Sequence, residues 1–186
     1  MPMRLNDETY EYIKQAVADM FVDYDIKGLP ISAFEIAIKI GLTVIPYSAL
    51  DAKKQQEALT YSTDGYSVEL LNGDWIIYYN DNTKKYERIN QTIMHEIAHF
   101  ILGHTEEGDV EEAEAKFFAK YALASPVLIH NMKAEKTVTN IMDEFEIGLQ
   151  AAIIALNNYH KRLAYGPKFY AVYEKQILKQ LEIKVA

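Results

Sequence analysis

Between Lys84 and Leu102 the chain repeats apolar residues at helical spacing, with Ile89, Ile93, Ile97 and Phe100 on one side. The same stretch contains His95-Glu96-Ile97-Ala98-His99. A helix with this pattern is buried along one face. It must also find partners for its ionisable side chains, because an unpaired polar group taken out of water costs roughly 2–7 kcal/mol. Few arrangements meet both demands, so this segment sets the terms for the rest of the chain. Gly103 follows where a helix C-cap belongs.

Helical positions i and i+4 differ by only about 40° in rotation and about 6 Å in rise. His95 and His99 therefore project from one face, one turn apart, and can converge on a single ion. Glu96, one position on, can reach a metal-bound water without ligating. Two ligands and a general base on one helix is the geometric sense of the pattern HExxH. The competing reading is a buried helix with fortuitous histidines. The apolar flanks and the preceding strand favour the metal.

A third ligand is needed for an open, catalytic-type site. His104 is one candidate, but it follows His99 by five residues, whereas the metzincin pattern requires six. At the helix end it also suits the dipole. The next helix, expected over about Val110–Ala122, brings Glu111, Glu112 and Glu114 close in sequence. A carboxylate from it would complete a His2Glu set. Asp109-Val-Glu-Glu112 also reads as a capping pattern, and acids suit a first helical turn. Most of these acids must therefore be solvated.

The elements around this helix are readable. Ile13, Ala16, Val17, Met20, Phe21 and Tyr24 give an amphipathic helix over about residues 7–24. Ser32-Ala-Phe-Glu35 is a capping box before a short helix that Gly41 ends. Leu42–Tyr47 reads as a strand. Tyr66–Leu71 and Asp74–Tyr79 read as a hairpin, with Asn72-Gly73 as a two-residue turn. Asn80-Asp81-Asn82 stops the second strand. Beyond Pro126 the pattern is helical, with a stop at Gly166-Pro167. The expected class is α+β, a small antiparallel sheet packed on a mainly helical body, forming a single domain over residues 1–186.

Composition narrows the function. The net charge of −8 argues against direct binding of nucleic acid. With no cysteine, neither disulfides nor Cys-ligated metal is possible. The N-terminus lacks a secretory h-region, and no apolar run approaches the ~20 residues that span a bilayer. A cytoplasmic location without membrane association is expected.

Taken together, these residues resemble the ImmA/IrrE family of metallo-endopeptidases. The resemblance rests on His95-Glu-Ile-Ala-His99 through Leu102-Gly103-His104, on Glu112-Ala-Glu114-Ala-Lys-Phe-Phe-Ala119 and on Pro126. It extends over about residues 10–163. It implies a zincin-like fold and a gluzincin-like site with Zn2+ held by His95, His99 and Glu112, Glu114 being second choice. Position 116 departs from the family: Lys116 stands where an acceptor supporting a ligand histidine is expected. The implied mechanism is hydrolysis by zinc-bound water with Glu96 as general base. Tyr78, Tyr79, His160, Arg162 and Tyr165 are candidates to hold the oxyanion, and the Ile76–Tyr79 strand is a candidate edge for an extended substrate. The implied partner is a separate helix-turn-helix transcriptional repressor. The alternatives are a non-catalytic binding protein on the same fold and a small-molecule zinc hydrolase.

Overall fold

The computed structural model of the protein describes residues 3–106 and 108–185. It contains, in order, α1 (Asp7–Asp23), α2 (Ala33–Ile40), β1 (Thr43–Pro46), α3 (Ala52–Tyr61), β2 (Gly65–Glu69), β3 (Trp75–Tyr79), α4 (Tyr86–Leu102) and α5 (Asp109–Ala124). There follow α6 (Pro126–His130), α7 (Val138–Phe145), α8 (Leu149–Tyr165) and α9 (Val172–Gln180). The class is α+β, mainly helical with a small sheet.

Local chemistry accounts for many of the boundaries. Asn6, Ser32, Asp51 and Thr137 each accept a hydrogen bond from a backbone N–H three residues on, starting α1, α2, α3 and α7. Of the capping box at α2 the Ser32 half is seen, while the Glu35 carboxylate pairs with Lys39 at 2.8 Å. At α5 the cap is Gly108, not Asp109. Asp109 is the first helical residue, which leaves Glu112 free to turn elsewhere.

The sheet has the order β1-β3-β2. β2 and β3 form the expected antiparallel hairpin, with Ser67 opposite Ile77. β1 joins β3 in parallel, Thr43 opposite Ile76, so the sheet is mixed rather than antiparallel throughout. The reason is the connection. Between β1 and β3 lie α3 and β2, enough chain to return the path in the original direction. β3 is therefore the central strand and β2 an edge, which moves the free edge from the expected Ile76–Tyr79 strand to its neighbour. The hairpin turn also differs from expectation. Of Asn72-Gly73 only Gly73 takes a positive φ, at 86°. Its N–H reaches Leu70 O, and Leu70 N–H reaches Asp74 O, which encloses three residues rather than two.

α4 crosses the sheet and packs most extensively on α5. Its Ile93, Met94, Ile97 and Ala98 are fully buried with Ile77 of β3. Each large aliphatic side chain so placed contributes about 1.5–3 kcal/mol relative to exposure. Buried Asn90 locks α4 to the start of α2: its Oδ1 accepts from Ala33 N–H at 2.7 Å and its Nδ2 donates to Ile31 O at 2.9 Å. β2 lies so close to α4 that a Cβ on Gly65 would sit 2.6 Å from Tyr78 O and 2.7 Å from Thr92 Cγ2. A glycine there lets the edge strand lie directly against the histidine helix. One buried apolar cluster runs from Leu5 to Leu181. Among the described residues no helix is long and apolar enough to cross a membrane.

Candidate active site

α4 presents His95 and His99 on one face, as the i, i+4 spacing requires. Their Nε2 atoms lie 3.2 Å apart. α5 brings Glu112 across: its carboxylate oxygens lie 3.5 Å from His95 Nε2 and 3.4 Å from His99 Nε2. One ligand atom from each of the three falls within 4.8 Å of the others, an arrangement compatible with metal binding. The donor set, two imidazole nitrogens and a carboxylate, suits a divalent ion of zinc's kind.

The electrostatics agree with that use. Burial holds His95 below the usual histidine range. Burial, together with His95 and His104 nearby, holds His99 down at about 4. Both rings are therefore neutral at pH 7 and keep a free lone pair. Burial pushes Glu112 up, but His95, His99 and a hydrogen bond from Lys116 outweigh it and leave the carboxyl below its ordinary value. Lys116 Nζ stands 3.1 Å from Glu112 Oε2. The residue that departs from the family pattern thus touches the carboxylate rather than a histidine.

Glu96 is 8% exposed, and Ser67 of β2 donates to its Oε2 at 2.7 Å. The hydroxyl fixes the orientation of the carboxylate. Sequence reasoning missed Ser67. The signal was in the register: Ser67 pairs with buried Ile77, which turns its side chain toward α4.

Of the remaining candidates, Glu114 turns away from the cluster and meets His104 at 2.9 Å. His104 in turn lies 2.9 Å from His99 Nδ1. None of the five oxyanion candidates is among the described residues lining the cleft. Tyr78 stacks on Tyr66, and Tyr79 packs edge-on against Phe34. Arg162 is bound bidentately by Glu174, while His160 and Tyr165 are exposed on α8.

Two hollows, of about 500 and 480 Å³, meet across Gly65, Glu96 and Glu112. Tyr61, Tyr66, Trp75, Glu69 and Glu106 line the first; Arg88, Gln91 and Lys116 line the second. In the second hollow Arg88 is paired with Asp64 and Lys116 with Glu112, so both cations are matched by carboxylates. The histidine–glutamate cluster thus borders two adjoining hollows, with edge strand β2 along their walls.

A histidine pair one turn apart, a buried glutamate between them and a carboxylate from the next helix, all opening on a cleft, define a metal-dependent hydrolase type of site. The chain belongs to the peptidase family described as the IrrE N-terminal-like domain (Peptidase_M78), which matches residues 49–157, more than half of its length. That places it in a metallopeptidase family, in agreement with the resemblance and with a zincin-like fold. No curated protein and no solved structure matches the chain.

Proposed function

We propose that the protein is a zinc-dependent endopeptidase acting on a separate protein of the helix-turn-helix repressor type. The observation that carries the reading is the convergence of His95, His99 and Glu112 beside a glutamate oriented by Ser67, on an open cleft. His95, His99 and Glu112 would hold the ion. When bound, zinc supplies Lewis acidity toward water and toward a substrate carbonyl.

The chain's own residues supply the rest. Glu96 acts as general base toward the attacking water and then returns the proton to the departing amine. Ser67 keeps the Glu96 carboxylate aimed while this happens. β2, an edge strand with Gly65, Tyr66, Ser67 and Glu69 on the cleft wall, offers backbone groups to which an extended peptide adds as a further strand. A peptide crossing the cleft meets Glu69 and Glu106 on one side and Lys116 on the other. The end with Glu69 and Glu106 therefore favours basic side chains. The repressor as substrate is supported by the family resemblance alone.

Glu96→Gln tests the reading. The amide keeps size and hydrogen bonding but cannot take a proton, so cleavage of candidate repressors should be lost while binding persists. A wild type that binds a repressor and never cleaves it, with Glu96→Gln indistinguishable, would make the protein a sequestering module instead. Turnover of generic amides or esters with no effect on repressors would point to a small-molecule hydrolase.

A further inference from the structure

A metal-binding imidazole has a second nitrogen, and what that nitrogen meets fixes the ring's orientation and basicity. For His99 the structure supplies the partner. Its Nε2 faces His95 and Glu112, while its Nδ1 lies 2.9 Å from Nδ1 of His104. His104 Nε2 lies 2.9 Å from Oε2 of Glu114. With His99 Nε2 used as a ligand, the protons along this line have one arrangement. His99 carries its proton on Nδ1 and donates it. His104 accepts on Nδ1, so its own proton sits on Nε2. The Glu114 carboxylate accepts that proton. Every donor then meets an acceptor.

The backbone is folded to make this line. Gly103, at φ 69° and ψ 34°, takes the left-handed conformation that ends α4. Its N–H reaches Phe100 O, and the His104 N–H reaches back to His99 O at 3.0 Å. These are the two bonds of a Schellman motif, which usually brings together apolar side chains at the positions held here by His99 and His104. In this chain the contact is polar, with the two rings 5.0 Å apart at 71°. The His104 side chain is 7% exposed. Burying two nitrogens there without partners would cost more than an apolar residue at the same place, so their two matched contacts need a reason.

We propose that His104 and Glu114 are positioning residues, a two-step relay that fixes the tautomer and orientation of His99 toward the ion. The inference rests on the reading that His95, His99 and Glu112 hold zinc. Neither residue belongs to the set of three that faces the ion position.

The test measures Zn2+ affinity by competition with a chromophoric chelator, and the visible absorption spectrum with Co2+, alongside melting curves. His104→Phe keeps a ring and removes both nitrogens. Glu114→Leu removes only the far acceptor. His104→Asn restores an oxygen acceptor where Nδ1 stood. A relay predicts that His104→Phe binds zinc about 10–100-fold more weakly and alters the Co2+ spectrum. Glu114→Leu should weaken binding by a smaller factor, and His104→Asn should recover most of the loss. Wild-type affinity in both His104→Phe and Glu114→Leu overturns the relay, even if their melting temperatures fall. Equal loss in His104→Phe and His104→Asn also overturns it, since packing rather than an acceptor would then be responsible. If His104→Phe does not fold, Glu114→Leu and His104→Asn decide by the same criteria. A wild type that binds no zinc fails the underlying reading and the relay with it. That result is distinct from a wild type that binds while the variants match it.

Discussion

Two polar clusters among the described residues follow opposite rules. Between α8 and α9, Arg162 Nε and Nη2 meet the two oxygens of Glu174 at 2.6 and 2.9 Å, and Glu174 Oε2 also accepts from Ala171 N–H. The cation and anion are both supplied, the geometry is bidentate, and the pair is closed. Between α4 and α5, by contrast, His95 Nε2, His99 Nε2 and the Glu112 oxygens face one another. With both Nε2 atoms unprotonated these groups turn lone pairs toward one point and call for a cation there, while Lys116 Nζ lies 3.1 Å from Glu112 Oε2, the oxygen that faces His95. The first cluster is complete in itself. The second suits completion from outside. Burial and charge are common to both, so neither property alone marks a functional site. The distinguishing feature is whether the groups satisfy each other.

This contrast can be sharpened by substitution. The largest effect is expected at Glu96. Glu96→Gln should lower peptide-bond hydrolysis by about 10²–10⁴-fold without changing metal content, checked by single-turnover cleavage and elemental analysis. At the closed cluster the effect should fall on stability. Arg162→Met leaves the Glu174 carboxylate buried and unpaired. It should cost about 3–5 kcal/mol, lowering the melting temperature on the order of 10 °C, with zinc affinity intact. A variant that lost zinc along with stability would break the separation of the two clusters.

The third prediction concerns pH. His99 is held at about 4, below the ordinary histidine value near 6.5. As pH falls below about 6.5 the unfolded chain takes up this proton and the folded one does not until about 4. Stability of the metal-free protein should therefore fall through that window. Melting temperature against pH, measured in chelator, should slope down toward acid, and His99→Ala should flatten the slope. The smallest effect is expected from Ser67→Ala. It removes the Ser67 hydrogen bond to Glu96 but leaves the base in place, for a loss of about tenfold in kcat, near 1.4 kcal/mol, at unchanged zinc content.

The sequence made the centre of the molecule legible because two periodicities coincide there. The apolar residues of α4 mark its buried face, the histidines mark its other face, and Gly103 ends it. The neighbours of that helix were harder to read. α3, AKKQQEALTY, buries only Ala58, so it leaves no apolar stripe to detect. The parallel pairing of β1 with β3 depends on a partner some thirty residues away that no local pattern encodes. At α5 the acids fit both a cap and a ligand. What separated Glu112 from Glu114 was their direction in space, one toward His95 and His99 and the other toward His104. The spacing of His104 argued only against one ligand pattern. Its position against His99 depends on the backbone turn at Gly103, which the sequence signals as a helix end without saying what the next side chain meets.

The account turns most directly on metal content, measured on protein purified without a histidine tag and equilibrated with zinc. Wild type, His99→Ala, Glu112→Ala and Glu114→Ala would be compared. The account predicts near one zinc per wild-type chain, a loss in His99→Ala and Glu112→Ala, and retention in Glu114→Ala when zinc is saturating. A wild type that stays empty, or a site emptied by Glu114→Ala and kept by Glu112→Ala, would contradict it.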